Sequence, residues 1–261
     1  MAAMVLLETS RDVAVVTLNR PEKRNALNPQ LVEELHQVLV RIEQNPQTKV
    51  VILTGAGTAF CAGADLAYLR ALSGYDEQQN LEDTRRLADL FQKLYALPRI
   101  TIARVHGPAL AGGCGLITLC DFVIAAREQA RFGYTEVRIG FIPALVANYL
   151  IRRVCPHVAH ELMLTGRVLS APEAQQVGLV HQVVPDEQLE AHTQAFVDQL
   201  LQQNSFAAMV RIKALTQQLL DLPLQQGLEK AARENVAARK TPDCQRGLAA
   251  FLNKETLRWR E

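Results

Sequence analysis

Two glycine-bearing turns and one glutamate are the residues best placed to do chemistry. Ala62-Gly63-Ala64-Asp65 and Ala111-Gly112-Gly113 each follow a strand-like run and precede a helical pattern. Each can therefore present free backbone N–H groups at a helix start. Brought together by a fold, such amides would converge and stabilise negative charge developing on a carbonyl oxygen. Gly112, Gly113 and Gly115 suit close helix–strand packing equally well, and on spacing alone the two readings stand level. Downstream, "FGYTEVRIGFIP" (132–143) sets Glu136 among Val, Ile and Phe. A carboxyl in such surroundings is partly desolvated, which raises its pKa and suits it to proton transfer near neutral pH. The competing reading is a surface glutamate paired with Arg131 or Arg138.

Other chemistries find less support. Gly55-Ala-Gly57-Thr-Ala-Phe60 follows a strand and imitates a dinucleotide fingerprint, but Phe60 replaces its last glycine and Asp65 comes too soon for the ribose carboxylate. No GxSxG elbow, phosphate-binding P-loop or HExxH motif occurs. The five cysteines (Cys61, Cys114, Cys120, Cys155, Cys244) are odd in number and form no CxxC pair. That argues against a zinc site or a disulfide framework and for a reducing, cytoplasmic compartment. With 28 Lys and Arg against 27 Asp and Glu, the net charge of +1 gives no general attraction for nucleic acid or an anionic membrane.

The elements that must position these residues read as α/β. Val13–Leu18, Lys49–Thr54 and Ile100–Val105 are β-branched runs, each followed by Gly- or Asn-rich turns. Asn28-Pro29 reads as a helix N-cap with proline at the first helical position, and Leu31, Val32, Leu35, Val38, Leu39 and Ile42 recur at helical spacing after it. A second helix is predicted from about Leu87 to Leu97, bearing Leu87, Leu90, Phe91 and Leu94. The N-terminus lacks the basic start of a secretory leader. The apolar run from Val105 to Ala126 has the length of a membrane span, yet its His106, Pro108, Asp121 and glycines point to a buried strand–turn–helix. At 49% hydrophobic residues the chain has material for a sizeable core. Residues 1–195 read as an α/β core, and 196–261, rich in Gln, Leu and Ala, as a helical region packed on the core or used for assembly.

Five segments together resemble the enoyl-CoA hydratase/isomerase family, the crotonases: "RPEKRNALN" (20–28), "GAGTAFCAGADL" (55–66), "VHGPALAGGCGLITLCDFVIAA" (105–126), "ARFGYTEVRIGFIP" (130–143) and "LTGRVLSAPEAQQVGLVHQVVP" (164–185). The resemblance implies a spiral of ββα units with a C-terminal helical trimerisation region, assembled as a homotrimer or a dimer of trimers. It also implies coenzyme A thioesters as substrates, of the kind handled in fatty acid β-oxidation, with no metal or redox cofactor. By position, the N–H groups of Ala64 and Gly112 would form the oxyanion hole. Gly63, Asp65 and Gly113 beside them would contact substrate, and Ala62 would lie near the CoA adenine. Lys23 and Arg24 fall where the family places cations near the CoA phosphates. Phe251 and Lys254 of "AAFLNKETLRWR" (249–260) resemble a segment that closes over CoA, although this ending departs from the commoner basic pattern. Tyr68 opens the stretch to about Arg86 from which the acyl pocket wall is expected.

One departure bears on the reaction. Family hydratases typically carry two catalytic glutamates; Glu136 occupies the second position, but the first is Gly115. Syn addition of water benefits from two carboxylates, and losing one general acid/base group lowers a rate by roughly 10²–10⁴. Moving a double bond from the 3- to the 2-position needs only one base. Yet "FGYTEVRIGFIPAL" (132–145) resembles a hydratase-type branch whose members carry a single glutamate. Hydration of a 2-enoyl-CoA, or the reverse dehydration, is the leading expectation and isomerisation the alternative. Decarboxylation or another enolate reaction comes third, and a non-catalytic acyl-CoA-binding scaffold is the alternative of a different class. Asp121, six residues after Gly115, is expected on another side of the helix and to be structural.

Overall fold

Apolar β-branched runs pair into a sheet whose parallel order leaves the glycine turns on one side. The computed structural model describes residues 3–260. β1 (Val5–Ser10) and β2 (Val13–Leu18) form an antiparallel hairpin, turned at Arg11 with a left-handed φ of 51°. α1 (Pro29–Gln44) starts where the Asn28 side chain accepts the Leu31 N–H at 2.8 Å. It buries Leu31, Leu35, Val38, Leu39 and Ile42. Val32, expected on the same stripe, is half-buried and lines a cavity instead. After β3 (Val50–Gly55) come α2 (Leu66–Leu72) and α3 (Glu77–Ala96).

The first half of α3 corrects the prediction of a helix from Leu87. Residues 77–86 carry almost no buried apolar stripe. The helix is instead opened by a capping box, in which Asp76 accepts the Gln79 N–H at 2.8 Å and Gln79 Oε1 accepts the Asp76 N–H at 3.0 Å.

β4 (Ile100–Val105), β5 (Pro108–Leu110), α4 (Gly112–Leu119) and β6 (Phe122–Ala126) follow. The membrane-length run is therefore divided among three strands and a short helix, and no helix of the described residues is long and apolar enough to cross a membrane. α4 ends before Asp121, so a helical-wheel placement does not apply to that residue. It is structural for another reason: its carboxylate accepts the Thr101 N–H at 2.8 Å and hydroxyl at 3.0 Å, bracing the start of β4. β7 (Arg131–Gly133), α5 (Ala144–Arg153), α6 (Pro156–Thr165), β8 (Leu169–Ser170), α7 (Ala171–Gln176) and β9 (Gln182–Val184) complete the α/β part. The main sheet has the order β1-β2-β3-β4-β6-β9, parallel from β2 onward; β5-β7-β8 make a second, smaller one.

The chain divides into two units between Thr193 and Gln194, within α8 (Leu189–Gln203). The second unit continues with α9 (Phe206–Leu219), α10 (Leu224–Arg239) and α11 (Pro242–Leu252). Ser205 and Thr241 cap α9 and α11, and Arg211 pairs with Glu234 at 2.9 Å across α9 and α10.

One titrating group braces the first unit. His181 Nδ1 accepts the Val123 N–H at 3.0 Å, and its ring meets Phe122 edge-on. Burial first, then the Arg153 charge, holds its pKa down to about 4 from 6.5, against a smaller opposing pull from Asp121. Protonation favours the unfolded chain, so the stability contribution is full above pH 6.5 and is lost as pH falls towards 4. Unfolding free energies measured across that range should fall more steeply for the native chain than for His181→Gln; parallel curves would disprove the assignment.

Candidate active site

The loop before α1 is held in shape by one buried side chain. Arg24 and Asn25 both have left-handed φ values, 51° and 56°, a conformation that asparagine tolerates. The Asn25 Oδ1 accepts the Arg20 N–H at 2.8 Å, and its Nδ2 donates to the carbonyls of Ala56 and Ala59 at 2.8 Å and of Phe60 at 3.2 Å. Residues 20–27 are thus tied to the loop after β3. Arg20 also reaches Asp65 at 2.6 Å, both side chains largely buried. That guanidinium, helped by the Tyr68 and Ala67 N–H groups, holds the Asp65 carboxyl below its ordinary range. Asp65, expected to contact substrate, pairs with Arg20 and caps α2.

These ties determine what happens at Ala64. Leu27 and Ala64 form an isolated parallel bridge: Leu27 N–H donates to the Gly63 carbonyl at 2.7 Å, and Asp65 N–H to the Leu27 carbonyl at 2.8 Å. A parallel bridge uses the flanking groups of its partner residue, so the Ala64 N–H finds no acceptor among the described residues. The Gly112 N–H, first in α4, is likewise uncommitted, while the preceding Ala111 N–H donates to the Gly133 carbonyl at 2.7 Å. The two turns touch. Gly63 has a φ of 95°, and a Cβ there would stand 2.8 Å from Ala111 Cβ and 3.6 Å from Gly112 N.

The glycine readings separate by position. A Cβ on Gly113 would lie 2.2 Å from the Cys61 carbonyl oxygen, so this glycine permits close packing. A Cβ on Gly112 would meet only Leu27 Cδ1 at 3.1 Å, and the residue opens onto the cavity. At Gly115 a Cβ would stand 2.7 Å from Val146 Cγ2 and 3.3 Å from Phe91 Cζ. Both of those side chains line the cavity, so hydrocarbon occupies the space a side chain at 115 would enter.

The cavity, of about 600 Å³, brings Ala62, Ala64, Gly112, Tyr68 and Glu136 together. Its walls include Leu66, Leu69, Leu72 and Leu87, as well as Ile139, Phe141, Ile142 and Leu145. The wall was expected from Tyr68 to about Arg86. The turn after Glu136 and the start of α5 were missed because their apolar residues have no period linking them to a pocket. Glu136 sits in a short 3₁₀ helix, Thr135–Ile139, and is 8% exposed. Its Oε2 is buried without a hydrogen-bond partner among the described residues. Burial raises its pKa, with its own backbone N–H opposing in part; pairing with Arg131 or Arg138 is not what the structure shows. The Tyr68 hydroxyl donates to Asp83, also on the cavity wall, and burial followed by that carboxylate raises the tyrosine pKa.

Lys23 and Arg24 are exposed beside this region, with the Arg24 carbonyl accepting the Ala62 N–H at 2.9 Å. Phe251 and Lys254 belong to the second unit, where Phe251 is 81% exposed at the end of α11 and Lys254 has a φ of 59°. Among the described residues, no cluster of His, Cys, Asp and Glu side chains could hold a metal ion.

Two uncommitted backbone donors and a protonatable carboxyl on one largely apolar cavity suit a reaction that places negative charge on a carbonyl oxygen while a proton moves nearby. Known proteins agree with this picture. A Thermus thermophilus protein provisionally described as an enoyl-CoA hydratase is 40% identical over 247 residues, covering 95% of this chain and 97% of that one. The 2,3-dehydroadipyl-CoA hydratase of Escherichia coli is 34% identical, covering 97% and 96%. The crystal structure of an enoyl-CoA hydratase of Mycobacterium smegmatis superposes with a TM-score of 0.92 at 30% identity, covering 98% of each chain. Residues 8–261 match the enoyl-CoA hydratase/isomerase family as a whole. Fold and sequence thus converge, and the chain belongs to that family.

Proposed function

We propose that the protein hydrates a 2-enoyl-CoA thioester to the 3-hydroxyacyl-CoA, with Glu136 as its only carboxylate acid/base. The observation that carries this reading is the buried, unpartnered Glu136 oxygen in the same cavity as the free Ala64 and Gly112 N–H groups. The thioester oxygen accepts from both amides. Glu136 removes a proton from water as the water oxygen bonds to C3. The electron pair of the double bond moves into the thioester, giving an enolate whose charge the two amides hold. Collapse of the enolate takes the same proton from Glu136 to C2 and restores the carboxylate. A carboxyl whose pKa burial has raised suits both halves of this exchange. No metal or redox group enters it.

In the same reading Lys23 and Arg24 meet the CoA phosphates and Ala62 the adenine. Gly63, Asp65 and Gly113 contact the substrate beside the donor turns, and Tyr68 stands in the acyl wall. Phe251 and Lys254 are further CoA contacts, and the C-terminal helices assemble the chain as a trimer or dimer of trimers. The five free thiols fit a cytoplasmic setting.

A second reading, isomerisation of a 3-enoyl-CoA by the same base, is favoured by one observation: position 115 is a glycine walled by Val146 and Phe91, so of the two family glutamate positions only that of Glu136 is filled. Crotonyl-CoA and a 3-enoyl-CoA offered to the purified protein separate the two. Hydration predicts loss of the conjugated thioester absorbance with the first. Its gain with the second and no loss with the first would establish isomerisation. Binding of both with neither signal would leave a scaffold.

A further inference from the structure

Behind the cavity lies a buried polar chain that the reaction above does not use. Cys114 and Thr118 stand one turn apart on α4. The Thr118 hydroxyl donates to the Cys114 carbonyl at 2.8 Å, and its oxygen is 2.7 Å from the Tyr134 hydroxyl. A threonine hydroxyl has one hydrogen. With that hydrogen given to Cys114, Tyr134 must be the donor and Thr118 the acceptor. Tyr134 is fully buried and lies two residues before Glu136. The Cys114 thiol sits beside the same tyrosine hydroxyl and the Gly133 backbone; burial pushes its pKa up to about 12, so it stays protonated.

This contact joins the two halves of the proposed machinery. α4 presents the Gly112 N–H at its first residue, and the segment after β7 carries Glu136. Near Gly112 they are tied by the main-chain bond from Ala111 N–H to the Gly133 carbonyl, at 2.7 Å. Thr118 lies six residues further along the helix, roughly 9 Å along its axis. One tie fixes a point; a second tie that far away fixes the direction of the helix.

We propose that Tyr134 is a positioning residue that, through Thr118, holds the Gly112 donor in register with Glu136. The inference rests on the roles given above to Gly112 and Glu136. Loss of the tyrosine hydroxyl leaves the ring packed but frees α4 to tilt against the 133–136 segment. A small misplacement of donor relative to base lowers the chemical step far more than substrate binding.

The test is steady-state hydration by Tyr134→Phe, Thr118→Val, Thr118→Ser and the Phe/Val double variant, with melting temperatures measured alongside and Glu136→Gln as reference. Tyr134→Phe and Thr118→Val should each lower kcat by about 10- to 100-fold with KM nearly unchanged. The double variant should lose no more than either single one, and Thr118→Ser, which keeps the acceptor oxygen, should retain turnover. Were Tyr134→Phe too unstable to purify, the Val and Ser variants at position 118 still decide the matter. A lower melting temperature with kcat within twofold of native would reduce Tyr134 to packing and overturn the proposal, as would additive losses in the double variant. If Glu136→Gln itself left turnover intact, the functional reading would fall and this inference with it. If only Glu136→Gln abolished turnover, the inference alone would fall.

Discussion

Glu136→Gln should lower hydration by about 10²–10⁴-fold while acyl-CoA still binds. Glutamine keeps the shape and the buried site of Glu136 but can neither take the proton from water nor return it to carbon. In the proposed mechanism the thioester oxygen would still meet Ala64 and Gly112, so affinity for a non-reacting acyl-CoA should be retained. The same variant should be more stable than the native chain at neutral pH. Burial raises the Glu136 pKa, so the folded state disfavours the ionised form. Its relative stability is therefore greatest below the unfolded pKa and declines as pH rises through the folded one. Glutamine removes that penalty, the usual exchange between stability and activity at a strained catalytic site. Melting curves at neutral and acid pH, beside the hydration rate and an acyl-CoA titration, check all three expectations. Unimpaired turnover would remove Glu136 from the mechanism.

Restoring the carboxylate at position 115 should fail unless its space is opened first. A Cβ there already stands 2.7 Å from Val146 Cγ2 and 3.3 Å from Phe91 Cζ, and a glutamate needs three further heavy-atom shells. Overpacking of a tight core typically costs about 1–3 kcal/mol, and an unpaired buried carboxyl adds to it. Gly115→Glu alone should lose about 3 kcal/mol or more of stability and gain no hydration. Gly115→Glu with Val146→Ala removes the nearer obstacle; it should recover part of that loss and let the new carboxyl face the cavity. Chemical denaturation of both variants measures the first effect, and hydration rates the second. If Gly115→Glu proved as stable as native, the hydrocarbon wall would not be closed as described.

Much of this was legible where a local period exists. The strands Val13–Leu18 and Ile100–Val105, the Asn28 cap and the buried stripe of α1 all follow from residue type and spacing. β1 was missed because it is an edge strand with only Val5 buried, so its pattern carries no alternation. The start of α3 was missed because its signal was a capping box rather than an apolar stripe. The glycines could not be sorted from sequence because close approach is a tertiary fact. Gly113 is constrained by Cys61, far away in the chain, and Gly115 by Phe91 and Val146 from two other helices. Nor does any local pattern announce that a bridge to Leu27 leaves the Ala64 N–H unused. The resemblance pointed to that amide; the bridge supplies its physical cause.

That bridge also affects how this chain can vary over time. The uncommitted N–H of Ala64 comes from the pairing of its neighbours, and that of Gly112 from its place at the start of α4. Neither depends on a side chain, so almost no point substitution deletes these groups outright; only proline does. The apolar walls, by contrast, include residues with large side chains such as Leu69, Ile142 and Val146. A lineage of this protein can thus drift through many acyl preferences while the amide pair is inherited unchanged, guarded by backbone pairing rather than by selection on its own side chains.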